Sequence, residues 1–397
     1  MSSAVMNVYR RFPVAFVKGE GAWLVDENGR RHLDFCSGIA VTNLGHCHPA
    51  LVEALCTQAH QLWHTSNLYR IPAQERLAAR LAEASGLDCV FFTNSGLEAM
   101  ECAIKTVRKH FADRGSQRRT IITMEGSFHG RSMATISASG QEKLTRGFEP
   151  LLPGFRQVPP EDIAALEAAI DEETAGVLIE PVMGEGGIRA LSDQYLQAVR
   201  ALCDRHGLLL VFDEIQCGMG RTGRLFAWEW AGVRPDVMAL AKGLGGGFPV
   251  GACLASAKAA SGMTPGAHGS TYGGNPLAMA VGHAVLDVLL APDFLPRLRE
   301  TAAYLDQALA RLAQEEGDLV VERRGKGLMR GLKLASLIQA RQFAEQAVED
   351  GILVAPAADN VIRLLPPLII SHAEIDEGMR RLKAALARAR RTASGTA

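Results

Sequence analysis

Asp236-Val-Met-Ala-Leu-Ala-Lys242-Gly-Leu-Gly-Gly-Gly-Phe-Pro-Val-Gly251 places one lysine at the end of a short apolar run, with glycines at 243, 245, 246 and 247 directly behind it. A lone lysine in that position also fits a strand end reaching solvent. The glycines favour a different reading, because they keep the backbone close where a bulky group must sit beside the amine. Apolar neighbours disfavour the ammonium form, which is the condition for a nucleophilic, imine-forming amine. The stretch therefore predicts a Schiff-base lysine at 242, for which the rest of the chain must supply a cofactor.

Outward from this stretch, alternating β and α patterns run from Cys89 to Ala255. Strand-length apolar runs fall at 90–93, 120–124, 175–180, 208–213, 237–240 and 250–254, with helical stretches at about 96–112, 161–171 and 192–206. Continuous apolar runs predict strands buried on both faces, as in a mainly parallel sheet with helices on each side. Ligands of such α/β sheets bind beyond the carboxyl ends of the strands. Before this region, Asn28-Gly29 between two apolar runs predicts a hairpin within 22–35. Helices are predicted at about 49–63 and at 72–85, the second stopped by Gly86. After it, 275–316 reads as two helical stretches broken near Pro292. From about 319, short strands mix with helices near 336–349 and 373–391, and 391–397 reads as a frayed end. The expected division is an N-terminal segment 1–50 belonging to a small domain, a large cofactor-binding domain 51–299, and a small α+β domain 300–397.

The net charge of −1 gives no whole-chain attraction to nucleic acid or to an anionic membrane. No apolar run reaches the roughly 18 residues of a membrane span. The first eight residues are too short and polar for a signal peptide, so the reading is cytoplasmic. Eight scattered cysteines without a C-x-x-C pair favour reduced thiols over a disulfide framework. His46-Cys47-His48 reads as a loop, since adjacent residues do not converge on one ion; no metal is expected.

The strand ends carry the chemical information. Ser95-x-x-Glu98 fits a capping box, while the N–H groups of Gly96 and Leu97 at the same helix start would suit a phosphate. Phe128 reads equally as core and as a wall for an aromatic cofactor. Arg131, in a polar turn, is either solvated or a bidentate grip on a carboxylate. Of Glu180 and Glu185 on the turn to Gly187, one could neutralise an arginine until a substrate carboxylate competes for it. Asp213 ends a fully apolar strand and needs a cationic partner, which a protonated pyridine nitrogen would be.

With these motifs in view the chain resembles the class III pyridoxal-phosphate aminotransferases of the aspartate-aminotransferase fold. The likeness rests on Gly45-His-Cys-His-Pro49, Phe128-His-Gly-Arg-Ser132, Glu180-Pro181 with Gly184-Glu-Gly-Gly187, Phe212-Asp-Glu-Ile-Gln-Cys-Gly-Met-Gly-Arg-Thr-Gly223, Ala241-Lys-Gly-Leu-Gly-Gly-Gly-Phe-Pro249 and His268-Gly-Ser-Thr-Tyr-Gly-Gly-Asn-Pro276. Within the family it is most similar to the acyl-ornithine branch, whose donors are N-acetylornithine and N-succinylornithine. The resemblance implies pyridoxal 5′-phosphate bound by Lys242, with Asp213 on the pyridine nitrogen, Gln216 at the ring hydroxyl and Phe128 stacked on the ring. It implies phosphate contacts from Gly96 and Leu97 and from Thr271 of a second subunit, hence a homodimer with shared sites. Ser270 and Arg131 would contact N-acetylornithine, and Arg363 would take the α-carboxylate of glutamate or 2-oxoglutarate, with Glu185 as its switchable partner. The family usually has threonine where this chain has Leu97, so one hydroxyl contact to phosphate is absent. Succinylornithine, ornithine and 4-aminobutyrate remain alternative donors; a non-catalytic pyridoxal-phosphate-binding protein is the alternative of another class.

Overall fold

The computed structural model describes residues 4–393. Its centre is a seven-stranded sheet in the order Cys89–Thr93, Gly251–Ala255, Val237–Leu240, Leu209–Asp213, Thr174–Ile179, Thr120–Met124 and Phe155–Val158. The strands from 237–240 to 155–158 run parallel. Strand 251–255 is antiparallel to both of its neighbours. The reason is local: the glycine-rich stretch 241–250 turns the chain back directly, without the helical crossover that a parallel partner requires.

Five of these strands are buried along their whole length. Alternate residues serve opposite faces. Ile121, Leu178, Val211 and Ala239 pack with Ala99, Ala103 and Val107 of helix Gly96–Ala112. Ile122, Val177, Leu210 and Phe212 pack with Leu196, Val199 and Leu202 of helix Asp193–His206. Each valine, leucine, isoleucine or phenylalanine among them contributes roughly 1.5–3 kcal/mol on leaving water, and together they hold the strand ends that carry the site. Strand 155–158 was absent from the sequence reading. It lies at the sheet edge and carries Arg156 and Gln157, so it lacks the apolar run that marks a central strand.

The N-terminal hairpin forms from Trp23–Asp26 and Arg31–Asp34, preceded by Phe16–Glu20. Asp26 Oδ1 accepts from the N–H groups of Asn28 and Arg30 and so shapes the turn. Strand 31–34 also takes Ile352–Leu353 as a parallel neighbour, which joins the two ends of the chain. A further antiparallel sheet is built from Val320–Lys326, Met329–Leu334, Val361–Leu364 and Ala355–Ala357. Helices Phe294–Glu315 and His372–Ala393 lie against each other, tied by Tyr304 to Asp376 and Lys383 to Glu315.

Two boundaries differ from expectation. The first helix stops at Ala59 rather than near 63, because Trp63 Nε1 donates to the Ala59 carbonyl and replaces the helical bond. The last helix continues to Ala393, held by Arg390 on Glu316 and Asp318, so 391–393 are not frayed; residues 394–397, like Met1 to Ser3 of the signal-peptide argument, lie outside the described part. The break between Pro276–Leu289 and Phe294–Glu315 bends the chain by 71°. Among the described residues no single helix is long and apolar enough to cross a membrane.

Candidate active site

A cavity of about 410 Å³ lies beyond the carboxyl ends of the central strands. Gly96, Leu97, Phe128, Arg131, Asp213, Gln216 and Lys242 all line it. Lys242 comes two residues after the end of strand 237–240 and adopts φ 44°, a left-handed conformation that costs a non-glycine residue energy and is held by its surroundings. Burial pushes its amine below the ordinary lysine range, and Arg363 adds to this. Asp213, Glu185 and Glu180 oppose the shift.

Of the glycines after Lys242, Gly247 reaches the cavity, while Gly245 and Gly246 serve a different purpose from the one expected. The cavity wall contains Gly247 and Phe248 but not residues 243–246. A Cβ on Gly245 would stand 2.0 Å from the Phe248 carbonyl oxygen, and one on Gly246 2.5 Å from Leu51. These glycines let the chain close on itself, and so they fix the lysine rather than make room beside it.

Asp213 is buried at the end of its strand. Its Oδ1 accepts from Ile215 N at 3.1 Å, and its Oδ2 is 2.8 Å from His129 Nδ1. His129 is itself buried, and its Nε2 has no hydrogen-bond partner among the described residues. The sequence reading quoted His129 only inside a motif and gave it no role. The available signal was the demand that Asp213 find a polar partner: a histidine in the loop after strand 120–124, two places along the sheet, meets it.

At helix Gly96–Ala112, Ser95 Oγ accepts from Glu98 N, and Ser95 O from Ala99 N. Glu98 Oε2 accepts from Asn94 N, one residue before the reciprocal bond a capping box would make. Gly96 and Leu97 come earlier in the first turn, where the helix itself offers their N–H groups no acceptor. Arg131 is exposed, its guanidinium carbon 5.7 Å from the Phe128 ring centre. Gln216 is buried, and its Oε1 lacks a hydrogen-bond partner among the described residues.

The two glutamates on the following turn separate. Glu185 Oε1 lies 2.5 Å from Nη1 of Arg363, which is 2% exposed and also donates to the Pro356 carbonyl. Glu180 forms no ion pair among the described residues; its carboxylate accepts from Phe128 N and Gly184 N. Ser270 and Thr271 are not brought to this cavity. They line another hollow with His268 and Tyr272, and only Asn94 faces both spaces, its Nδ2 3.3 Å from Ser270 Oγ.

Residues 4–386 match the class-III aminotransferase family. The chain belongs to the class-III aminotransferases. This aminotransferase is 55% identical over 387 residues to the acetylornithine aminotransferase of Agrobacterium fabrum, covering 97% of this chain and 96% of that one. It is 57% identical over 384 residues to that of Mesorhizobium japonicum, covering 96% of each. Among solved structures it resembles the ornithine aminotransferase of Toxoplasma gondii, with TM-score 0.94, 33% identity and coverage of 98% and 94%. The N-acetylornithine aminotransferase of Stenotrophomonas maltophilia matches with TM-score 0.84, 41% identity and coverage of 96% and 97%.

The class-III family depends on pyridoxal phosphate, and the Toxoplasma protein holds that group at its active site in partial occupancy. The residues of this aminotransferase fit such a group. The cavity provides an amine, a buried carboxylate, an aromatic wall, a helix start suited to a phosphate and an orphaned amide oxygen that can accept from a ring hydroxyl.

Proposed function

We propose that this enzyme transfers the terminal amino group of N-acetylornithine to 2-oxoglutarate, giving N-acetylglutamate 5-semialdehyde and glutamate, with pyridoxal 5′-phosphate as cofactor. The observation that carries the donor assignment is likeness at 55–57% identity, along nearly the whole chain, to relatives named for acetylornithine. We further infer a cytoplasmic role in arginine biosynthesis, and a homodimer in which Ser270 and Thr271 face the site of the other subunit. Their separation from Lys242 within one chain supports that arrangement. The division into segments 1–50, 51–299 and 300–397 belongs to the same reading.

When bound, the cofactor supplies an aldehyde that accepts the amine and a ring that draws electrons from the carbon losing its proton. With the cofactor bound, Lys242 Nζ would be the group that holds and moves the proton of the donor's amine-bearing carbon. Asp213 would pair with the pyridine nitrogen and favour its protonated form. Gly96 and Leu97 would donate N–H groups to the phosphate, Gln216 would serve the ring hydroxyl, and Phe128 would cover the ring. Arg131 holds the donor α-carboxylate. Arg363 holds that of 2-oxoglutarate, and Glu185 neutralises it in the half-reaction that needs no second carboxylate.

Two results are expected from this arrangement. Because burial and Arg363 disfavour the ammonium form of Lys242, covalent uptake of pyridoxal phosphate by the apoprotein is expected to reach half its maximum rate below pH 10.5, the ordinary lysine value. Stopped-flow absorbance at a series of pH values checks this; a midpoint at or above that value contradicts the depressed amine. Arg363→Ala is expected to lower kcat/KM for glutamate about 100-fold, since a charge-assisted hydrogen bond contributes ~1.5–3 kcal/mol, and to leave acetylornithine within a few-fold. Equal losses in the two half-reactions would remove the division of labour between Arg363 and Arg131.

The donor is tested by single-turnover titration of the cofactor-loaded protein with N-acetylornithine, N-succinylornithine, ornithine and 4-aminobutyrate, followed by loss of the cofactor–lysine absorbance. Fastest loss with N-acetylornithine supports the assignment. Loss led by another amine moves the donor while keeping the chemistry, and no loss with any of them ends the aminotransferase reading.

A further inference from the structure

Glu180 is a buried carboxylate that the steps above do not use. It follows strand 174–179, is 5% exposed and makes no ion pair among the described residues. Taking an unpaired carboxylate out of water is costly, so the group needs a compensating role. Its two oxygens serve two separate segments: Oε1 accepts from Phe128 N at 2.9 Å, and Oε2 from Gly184 N at 3.1 Å. Burial pushes this carboxyl group up to about 7, with His129 opposing the shift and Asp213 adding to it.

The two segments flank the site. Phe128 forms the proposed ring wall. Gly184 opens the turn whose next residue, Glu185, pairs with Arg363. That turn is confined from the other side as well, because a Cβ on Gly184 would stand 2.5 Å from Gln216 Oε1. The Glu185 carbonyl accepts from Ala358 N at 3.0 Å, which ties the turn to the segment before strand 361–364. The chain of contacts thus runs from Phe128 through Glu180 to Gly184, Glu185 and Arg363. Among acidic and amide side chains, only a carboxyl group presents two oxygens with acceptor capacity on one fork; an amide presents one. A glutamine would turn its NH₂ toward one of the two N–H donors, and an aspartate is one methylene too short to span both.

We propose that Glu180 is a positioning residue that tethers the ring wall at Phe128 to the turn carrying Glu185, and so sets how Arg363 is presented to the acceptor acid. This rests on the aminotransferase reading above for its kinetic consequences, but not for its structural one.

The test uses cofactor-loaded wild type, Glu180→Gln and Glu180→Asp. In both variants the KM for 2-oxoglutarate is expected to rise about tenfold, while the KM for N-acetylornithine changes less than threefold. Hydrogen exchange at Phe128 and at Gly184–Gly187 is expected to quicken at least tenfold, with strands 174–179 and 209–213 unchanged. Equal losses in both half-reactions, or exchange rising throughout the protein, would show Glu180 to be a general stabiliser and overturn the tether. Unchanged exchange at Phe128 and Gly184 overturns it too. A wild type that moves no amine refutes the activity, and the exchange measurement still decides the tether.

Discussion

Replacing Lys242 by alanine is expected to lower turnover by at least about 10³- to 10⁴-fold while leaving the fold intact. The lysine is asked to do two things, and the variant loses both. A positioned proton carrier is typically worth about 10²–10⁴ in rate, and the covalent attachment that presents a reactive carbon to the incoming amine goes with it. The fold tolerates the change because Lys242 makes no structural ion pair among the described residues and sits at φ 44° in a turn fixed by Gly245 and Gly246 rather than by its own side chain. The measurement is single-turnover amine transfer beside circular dichroism and cofactor absorbance. The variant should hold pyridoxal phosphate without covalent attachment, and recovery of part of the rate by added small primary amines would assign the loss to the missing amine. Turnover near wild type would remove the central assignment.

The second large effect belongs to Asp213. Alanine there is expected to slow both half-reactions by about 10²- to 10⁴-fold, because breaking a buried charge pairing typically costs ~3–5 kcal/mol. The carboxylate is held from two sides, by Ile215 N and by His129, so its orientation is set before any ligand arrives. Asp213→Asn keeps the shape and the contact with Ile215 but not the charge. If the charge on the ring nitrogen is what matters, asparagine should be nearly as slow as alanine. An asparagine variant at wild-type speed would reduce Asp213 to a spacer for His129. The comparison is made under single turnover with N-acetylornithine and with glutamate, so that product release does not hide the step.

Much of the fold was legible because the central strands are apolar along their whole length and their helices start and stop at strong signals. Helix 96–112 was read to the residue, and helix 72–85 ends at Gly86, which takes φ 65°. Edge strand 155–158 was not legible, since a half-exposed strand with an arginine and a glutamine has no distinctive run. The placement of Asp213 and Lys242 at the cavity was legible because one ends a strand and the other comes two residues after one. Side-chain pairings across loops were not: nothing in the order of residues says that His129 meets Asp213, or that of two nearby glutamates Glu185 takes Arg363 while Glu180 takes two backbone N–H groups. Such choices are made by burial and geometry at distances the sequence does not encode. The glycine stretch shows the converse. Its glycines were read as room for a group beside the lysine, whereas Gly245 and Gly246 make room for the chain itself, because spacing alone does not tell room for a ligand from room for the chain.

The antiparallel strand 251–255 has a consequence for the order in which the protein is assembled. Strand 89–93, from which the helix start at Gly96 springs, is joined to the sheet only through strand 251–255, in the register Thr93 with Gly251. The proposed phosphate cradle and the lysine are therefore brought together by a pairing that spans about 160 residues, the kind of long loop closure that slows folding. A nascent chain can lay down the parallel strands one after another, yet it has no site until the glycine turn has doubled back and captured a strand made long before. Competence to bind the cofactor thus arrives as a closing event, and it reports that the two halves of the sheet have found each other.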